Sequence, residues 1–324
     1  MPSEGTDFII KIKSIPDLVR ASSLASLLEV AGWPKPGNVH RTQNFKNTRF
    51  EHFLAGIVAI QPNFNKFLEN INQFSFINKN DYKKIELGLF FKNAAEVMIK
   101  WQSGGNVILG HILILAPLVS AATICLKIKR YKLMDLQFTL NQIIENSTAI
   151  DTVNLYQAIR ISSPGGLGNI DKYDIYDDNS FNDIIKDDIN LKKIFVISKD
   201  YDLISSEYST NFNIILYEGL PYFVDVFNRF DDINIATVNT YLKLLSLHPD
   251  TLVIRKSGLE IANYISKKAL DILENGGIST DKGLALAIAL DKELQEKMGK
   301  LNPGTTADLI SGVIFCALLF GLRF

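Results

Sequence analysis

Apolar residues spaced three and four positions apart recur along almost the whole of this 324-residue chain. Near the beginning, Leu18, Ala21 and Leu24 follow the intervals that place side chains on one face of a helix. Strand signals are scarce: residues 211–216 and 251–254 are short and rich in β-formers, and we favour helix or turn for both. The periodicity therefore predicts an all-α protein.

Residues that start and stop helices refine this prediction. Thr48, for example, precedes Glu51 by the three positions of a capping box. No linker rich in Gly, Ser or Pro divides the chain, so residues 1–324 are predicted to form one large multi-helix bundle domain, with a long loop over 162–180. The predicted helices are 15–31, 49–70, 80–101, 106–128, 134–147, 150–160, 182–209, 212–228, 234–247, 258–275, 280–298 and 304–321.

The charge balance limits the partners of the chain. With 34 basic and 35 acidic side chains, the net charge is −1. A nucleic-acid binder or a binder of anionic membranes would usually carry a basic excess, so we expect neither partner. Cys125 and Cys316 lie in apolar runs and are interpreted as reduced core residues, and no basic-then-apolar signal peptide opens the chain. These observations predict a cytoplasmic protein, and a homodimer is left open.

One apolar segment raises the question of a membrane span. Residues 107–126 are long enough to cross a bilayer. However, Asn106 and His111 lie at the start of this segment, Pro117 lies within it, and no comparable second span accompanies it. We therefore favour a buried core helix.

Five polar clusters lie where predicted helices begin or end. In the first, Pro34 and Pro36 fix the backbone path on either side of Lys35, and Gly37 permits a turn or the close approach of a ligand. A rigid turn followed by Asn, His and Glu carries more chemistry than a connector needs. The five clusters are 34–51, 103–106, 163–169, 248–258 and 302–308.

The clusters at 103–106 and 302–308 share one physical property. Glycine-containing turns before a helix expose backbone N–H groups where the helix dipole is positive, and this arrangement suits phosphate oxygens. Neither turn matches the P-loop or the dinucleotide-binding glycine pattern. Such a turn is more often only a helix cap, and the charged residues of the clusters also have structural interpretations, as capping or solvated turn residues. From residue type alone, phosphate binding remains one interpretation among several.

The same clusters contain five short motifs in a fixed order, and they span residues 29–309. They are Glu29-Val30 with Pro34-Lys35-Pro36-Gly37, then Leu115-Ala116-Pro117-Leu118, then Pro164-Gly165-Gly166-Leu167-Gly168, then Asp250-Thr251 with Arg255 and Gly258, and finally Pro303-Gly304 with Ala307-Asp308-Leu309. In these motifs the chain resembles the triphosphoribosyl-dephospho-coenzyme A synthases, in the branch found widely in archaea. Each motif alone is weak, but five in sequence are specific for the family.

Three positions depart from the family pattern. Better-known members follow Pro-Lys-Pro-Gly with Leu-Val-Asp, whereas this chain has Asn38-Val39-His40 and lacks that carboxylate. Their His-x-Asp-Met element corresponds here to Arg49-Phe50-Glu51-His52, which keeps an acid but loses the first His. The last motif has Asn302 and Thr305-Thr306 where a Ser and Gly-Ser are usual. These differences leave the predicted fold unchanged and the exact substrate open.

The resemblance implies an all-helical enzyme. Its reaction would transfer the triphosphoribosyl group of ATP to the 2′-hydroxyl of 3′-dephospho-CoA, or of a related alcohol, and release adenine. Breaking the N-glycosidic bond builds positive charge on the ribose carbon, which a carboxylate stabilises, and the attacking hydroxyl needs a base. The triphosphate needs cations, normally Mg²⁺ held by one or two carboxylates and by phosphate oxygens, with Lys and Arg alongside. ATP as substrate and Mg²⁺ as its companion are therefore expected.

The matched motifs supply residues of these types. Glu51 and Asp308 are predicted to hold Mg²⁺ or to stabilise charge, and Glu29 is a third catalytic candidate. Two other functions remain open: a Mg²⁺-dependent nucleotide hydrolase and a non-catalytic nucleotide-binding protein. The residues predicted to bind the nucleotide, through its phosphates, ribose or base, are Lys35, Asn38, His40, Asn106, Asp250, Arg255, Lys256 and Thr305.

Overall fold

The computed structural model describes residues 8–165, 172–297 and 299–324. The structure is 71% helical and has no strands among the described residues, which confirms the all-α prediction. A π-helical turn, Ile214–Gly219, leads into α11, and a 3₁₀ turn, Gly277–Ser279, precedes α15. The helices are α1 (Ile15–Ala31), α2 (Phe50–Ile71), α3 (Lys79–Lys83), α4 (Leu87–Lys100), α5 (Leu109–Ile128), α6 (Leu133–Glu145), α7 (Ala149–Ser162), α8 (Asn179–Lys186), α9 (Leu191–Ser198), α10 (Leu203–Thr210), α11 (Leu220–Phe230), α12 (Ile233–Leu247), α13 (Thr251–Ser257), α14 (Leu259–Glu274), α15 (Asp281–Gln295) and α16 (Gly304–Leu319).

Two long predicted helices are divided in the structure. Residues 80–101 form α3 and α4, because Glu86 adopts a left-handed conformation with φ of 55° between them. Residues 182–209 form α8, α9 and α10, because the side chains of Asn190 and Asp202 cap the starts of α9 and α10. The apolar periodicity continues through these breaks, so it concealed the local stops.

The segments with ambiguous strand signals are helix or turn, as favoured. Residues 251–254 begin α13, and residues 211–216 run from a turn into the first half of the π-helical turn. The carboxylate of Glu207 stabilises this turn by accepting hydrogen bonds from the backbone N–H groups of Ile214 (2.9 Å) and Ile215 (3.0 Å). The hydrogen bonds to Glu207 thus favour the helical turn, a choice that local propensity left open.

The long apolar segment forms α5 in the middle of the protein. By length and composition α5 could cross a membrane, since its mean hydropathy is 2.1, but 89% of that stretch is buried inside the protein. It packs against α1, α2, α4, α6, α10 and α16. Its apolar character is accounted for by this packing, which supports the interpretation as a core helix.

Pro117 interrupts the hydrogen bonding within α5. Because proline has no N–H, the carbonyl of Leu113, four residues earlier, has no helical donor. The hydroxyl of Tyr208 donates to this carbonyl at 2.7 Å, and the Tyr208 side chain is completely buried. A residue of α10 therefore satisfies a polar group that the sequence of α5 leaves unpaired.

The packing of three helices brings polar residues together at one place. α1 packs against α16 and α5, and α5 also packs against α16. The last turn of α1 carries Glu29, the first turn of α5 carries His111, and the first turns of α16 carry Asp308. This common meeting point of helix ends positions the candidate site.

Replacing Tyr208 with Phe tests whether its hydroxyl compensates for the hydrogen bond that Pro117 removes from α5. The substitution leaves the Leu113 carbonyl buried without a donor, so we expect the free energy of unfolding to fall by about 1–3 kcal/mol. The measurement is urea denaturation followed by circular dichroism. Tyr217→Phe is the matched control, because the Tyr217 hydroxyl bonds Gln137 at the exposed surface. Equal stabilities of the two variants would contradict the role given to Tyr208.

Candidate active site

Lys35 turns back onto the C-terminal end of α1. Its ammonium contacts the carboxylate of Glu29 and also donates to the Glu29 backbone carbonyl at 2.7 Å. The two side chains are 1% and 2% exposed, and residues of this type are almost never so buried unless they are paired. A cation is also favourable at a helix C-terminus, where carbonyls lack helical partners. The Pro34–Gly37 turn thus delivers a lysine into the protein interior.

His111 and Asp308 extend this pair. The Nε2 atom of His111 lies 3.0 Å from Glu29 Oε2 and 3.7 Å from Asp308 Oδ1. A Cβ atom on Gly110 would lie 1.9 Å from Asp308 Oδ2, so glycine at this position permits the approach of α16 to α5. We call Glu29, Lys35, His111 and Asp308 the charged cluster. Asp308 is 23% exposed, and the other three side chains are nearly inaccessible, so Asp308 is the member that a solute reaches.

The electrostatics of the two carboxylates differ. Burial raises the pKa of Glu29, but the Lys35 ammonium and His111 oppose it, and the net pKa lies below the ordinary value. Burial, followed by the negative charges of Glu29, Asp250 and Asp202, raises the pKa of Asp308 well above the ordinary value, and Lys35 offsets this only in part. The cluster therefore has an excess of carboxylates, and its accessible member favours a nearby cation.

Asp250 connects the start of α13 to the start of α16. Its carboxylate accepts from the backbone N–H groups of Leu252 (2.8 Å) and Val253 (3.1 Å) and from Thr306 N (2.7 Å) and Oγ1 (2.8 Å). Thr251 adds a hydroxyl contact to Thr305 at 3.3 Å. These contacts are buried, so the structure shows Asp250 and Thr305 organising the helix turn that carries Asp308.

Arg255 and Lys256 lie on α13, beside this turn. Arg255 Nη1 donates to Asp202 Oδ1 at 2.9 Å, and Lys256 Nζ donates to the Gly299 carbonyl at 3.3 Å. The Cε atom of Lys256 would lie 3.5 Å from a Cβ on Gly165, so the glycine-rich loop begins next to α13. The rest of that motif, 166–168, lies outside the described residues. Both cations thus stand near the elements that the sequence motifs singled out.

Asn38, His40 and Asn106 have described contacts within the protein. Asn38 Nδ2 donates to the Tyr241 hydroxyl at 2.9 Å, and His40 Nε2 lies 3.0 Å from Asp291 Oδ2. Asn38 and His40 are buried, and these contacts hold the Pro34–Gly37 turn in place. Asn106 Oδ1 accepts from Leu109 N at 3.1 Å, at the start of α5. Their predicted contacts with ribose or base remain predictions.

Glu51 is separate from the charged cluster. Its side chain is 60% exposed, and its carboxylate pairs with Arg49 at 3.2 Å. The predicted capping box is wrong by one residue: Arg49 is the N-cap, His52 Nδ1 accepts from Arg49 N at 3.1 Å, and Thr48 donates to the Gly104 carbonyl instead. Residue type and the family motifs group Glu51 with Asp308, whereas in the structure Glu51 pairs with Arg49 at an exposed position of α2.

Four residues of the site were missed or undervalued by sequence reasoning. His111 enters the sequence analysis only as a polar residue near the start of the apolar segment, and Asp202, Tyr241 and Asp291 were not considered. Asp202 carries a local signal, because it precedes α10 in a capping position. Tyr241 and Asp291 are distant in sequence from the turn that they hold, so no local pattern marks them.

The carboxylates of the site limit how a magnesium ion could be held. Within 8–165, 172–297 and 299–324, no group of three or more His, Cys, Asp or Glu side chains is arranged to hold a metal ion. These ranges therefore offer no metal site made of three or more such side chains. One accessible carboxylate, Asp308, fits the other common mode, in which Mg²⁺ is held by one or two carboxylates and by substrate phosphates.

Substituting Lys35 with Met tests the buried ion pair. The change keeps the volume of the side chain but leaves the Glu29 carboxylate without its ammonium, so we expect a loss of about 3–5 kcal/mol in the free energy of unfolding. Glu29→Gln in the same chain should recover part of the loss, because it removes the unpaired charge. Arg20→Met, which breaks an exposed pair with Asp17 on the same helix, is the control and should have little effect. A loss no greater than that of this control would contradict the assignment.

Asp308→Asn tests the elevated pKa. The folded protein holds the Asp308 proton more tightly than the unfolded chain does. The stabilisation from this bound proton is therefore complete below the unfolded pKa and is lost as the pH rises through the folded pKa. Asparagine cannot ionise. We therefore expect the melting temperature of the variant, without nucleotide, to match wild type near pH 4 and to exceed it increasingly towards pH 8. A difference in melting temperature between the variant and wild type that stays constant at all pH values would refute this.

Comparisons of sequence and of structure both match this chain to described proteins. A family model described as CitG, ATP:dephospho-CoA triphosphoribosyl transferase, matches residues 16–323. The chain also resembles a crystal structure from Archaeoglobus fulgidus that is assigned as a triphosphoribosyl-dephospho-CoA synthase. The TM-score is 0.62 at 26% identity, over 83% of this chain and 100% of the other.

Curated relatives match over a shorter stretch. "Probable 2-(5''-triphosphoribosyl)-3'-dephosphocoenzyme-A synthase" of Salmonella gallinarum is 31% identical over 105 residues, and "2-(5''-triphosphoribosyl)-3'-dephosphocoenzyme-A synthase" of Klebsiella pneumoniae is 30% identical over the same length. Each match covers 32% of this chain and 34% of the relative. Since the family model covers nearly the whole chain, this protein belongs to the CitG family of ATP:dephospho-CoA triphosphoribosyl transferases.

Proposed function

We propose that this protein transfers the triphosphoribosyl group of ATP to the 2′-hydroxyl of 3′-dephospho-CoA. In this reaction the bond between the ribose C1′ and adenine N9 breaks, and a bond forms between C1′ and the acceptor oxygen. The acceptor hydroxyl loses its proton. The departing adenine gains one proton, which replaces the bond to the ribose. Family membership supports the reaction, and the charged cluster supplies groups that suit it.

The observation that carries the proposal is the position of Asp308. It is the accessible carboxylate of a cluster whose other members are buried, and burial followed by repulsion from neighbouring carboxylates raises its pKa. A positive charge beside Asp308 relieves that repulsion, so the site favours a cationic partner. Two such partners occur in the reaction: the ribose carbon as the glycosidic bond breaks, and a Mg²⁺ ion that accompanies the triphosphate.

The buried members of the cluster support Asp308. Lys35 and His111 hold the Glu29 carboxylate, and His111 also lies 3.7 Å from Asp308. In this proposal the three buried residues hold the Asp308 side chain in a fixed position and orientation towards the substrate. A preorganised charge of this kind stabilises a transition state without reorganisation. In this proposal Glu29 acts through the cluster and not by direct contact with substrate.

Mg²⁺ is proposed as the companion of ATP. When bound, it would neutralise charge on the triphosphate oxygens and would be held by Asp308 together with those oxygens. Glu51 is retained as a second carboxylate on the basis of its motif, and its exposure leaves its side chain accessible to a solute. Arg255 and Lys256 provide positive charge from α13.

We also place the reaction in the cytoplasm. Cys125 and Cys316 are both buried and free, which is compatible with a reducing compartment. Burial raises the pKa of the Cys125 thiol to about 11, so this group stays protonated at neutral pH. The expected partners are small nucleotides, and a homodimer stays open.

Adenine release tests the proposed function. Purified protein is incubated with ATP, Mg²⁺ and 3′-dephospho-CoA, and adenine is measured by chromatography. We expect release that depends on the acceptor, and a decrease of about 100-fold or more in Asp308→Asn, because one preorganised electrostatic group is typically worth that much. Asp225→Asn is the control, since Asp225 pairs with Arg229 on the exposed face of α11.

The products also separate the competing functions. Release of ADP or phosphate without adenine would instead support a nucleotide hydrolase, and no product would support a non-catalytic binding protein. Glu51→Gln is measured in the same assay. A rate equal to wild type would remove Glu51 from the site while leaving the assignment of Asp308 intact.

A further inference from the structure

Arg255 uses only one edge of its guanidinium group. Nη1 donates to Asp202 Oδ1 at 2.9 Å. Across the part of the chain that the structure describes, Nε is shielded from water and has no hydrogen-bond partner. The guanidinium's hydrogen bond there is made by Nη1, so Nη2 is left without one. An unpaired buried donor is destabilising by about 1–3 kcal/mol. In native proteins such a donor therefore usually binds a water, an ion or a ligand.

Asp202 holds this arrangement rigidly. Its Oδ2 atom accepts from the backbone N–H and the hydroxyl of Ser205 at 2.9 and 2.8 Å, and these bonds cap α10. Its Oδ1 atom is left for Arg255. Because the carboxylate is anchored to a helix start, it determines which edge of the guanidinium is occupied and which edge remains available.

The Arg255–Asp202 pair stands beside the helix turn that carries Asp308. Thr251 Oγ1 accepts from Leu203 N at 3.2 Å and donates to Thr305 Oγ1 at 3.3 Å, so the starts of α10, α13 and α16 are joined. Both side chains of the pair are about one-fifth exposed, at 22% and 21%. The Arg255 side chain therefore lies at a partly open surface next to the charged cluster, with its unpaired Nε below that surface.

We propose that the Nε–Nη2 edge of Arg255 binds one phosphate group of the triphosphate in a bidentate manner, and that Asp202 is the positioning residue for this contact. Two parallel N–H donors match two oxygens of a phosphate, whereas a lysine offers a point charge without this fork. The naming of the ligand as a triphosphate rests on the proposed function. The existence of an anion site on this edge does not.

Calorimetric titration with inorganic triphosphate tests the site without turnover. Arg255→Lys keeps the positive charge but loses the fork, and we expect its affinity to fall by about tenfold or more. Arg229→Lys is the matched control, because it makes the same exchange at an exposed pair on α11, and its affinity should equal that of wild type. Wild-type affinity in Arg255→Lys, or no binding by the wild-type protein, would overturn the proposal.

A double-mutant cycle tests the role of Asp202. Asp202→Asn keeps an oxygen that caps α10 but removes the charge that orients Arg255. In this background we expect Arg255→Lys to weaken triphosphate binding by less than about threefold, because the fork is no longer held. An unchanged tenfold loss would show that Asp202 does not position Arg255.

Kinetics distinguish this proposal from the proposed function. In the adenine assay, Arg255→Lys should raise KM for ATP and leave kcat within about threefold, since the contact is made in the bound substrate as well as in the transition state. Absence of adenine from wild type would end the transferase proposal, while the titrations would still decide the phosphate site. A fall in kcat with an unchanged KM would overturn the assignment of Arg255 as a phosphate-binding residue.

Discussion

The buried ion pair between Lys35 and Glu29 is the interaction on which the site depends. Removing two charges from water is costly, and the cost is offset only where geometry and further hydrogen bonds are favourable. Lys35 meets both conditions, because it also donates to the carbonyl at the end of α1, while Glu29 receives His111 as a second partner. The proline-flanked turn can reach this position only along one path, and so the ion pair fixes where the turn lies.

The same interaction places the accessible carboxylate. His111 links Glu29 to Asp308, and Gly110 removes the side chain that would block their approach. From the other side, Asp250 fixes the first turn of α16 through Thr306. Asp308 is therefore held among like charges at a cost to the stability of the protein without ligand. Such a cost is common at functional sites, where a bound partner relieves it.

The agreement between sequence and structure varies with the kind of signal. Helices with a clear apolar stripe, such as α2 and α14, were predicted closely, because burial of one face depends on local spacing. The breaks at Glu86 and before α9 were missed, because a left-handed residue or a side-chain cap can stop a helix without changing the apolar pattern. Capping was also misplaced at Thr48, where the real box begins one residue later.

Sequence by itself determined the all-α class, the order of the polar clusters and the family to which they point, because residue type and spacing are local properties. It also indicated Lys35 and Asp308 as residues of a site. Only the tertiary structure decided which of the clusters meet: Glu29, Lys35, His111 and Asp308 come together, whereas Glu51 pairs with Arg49 at the surface. The physical reason is that burial and charge pairing depend on how distant helices pack, and the sequence of each helix does not contain that information.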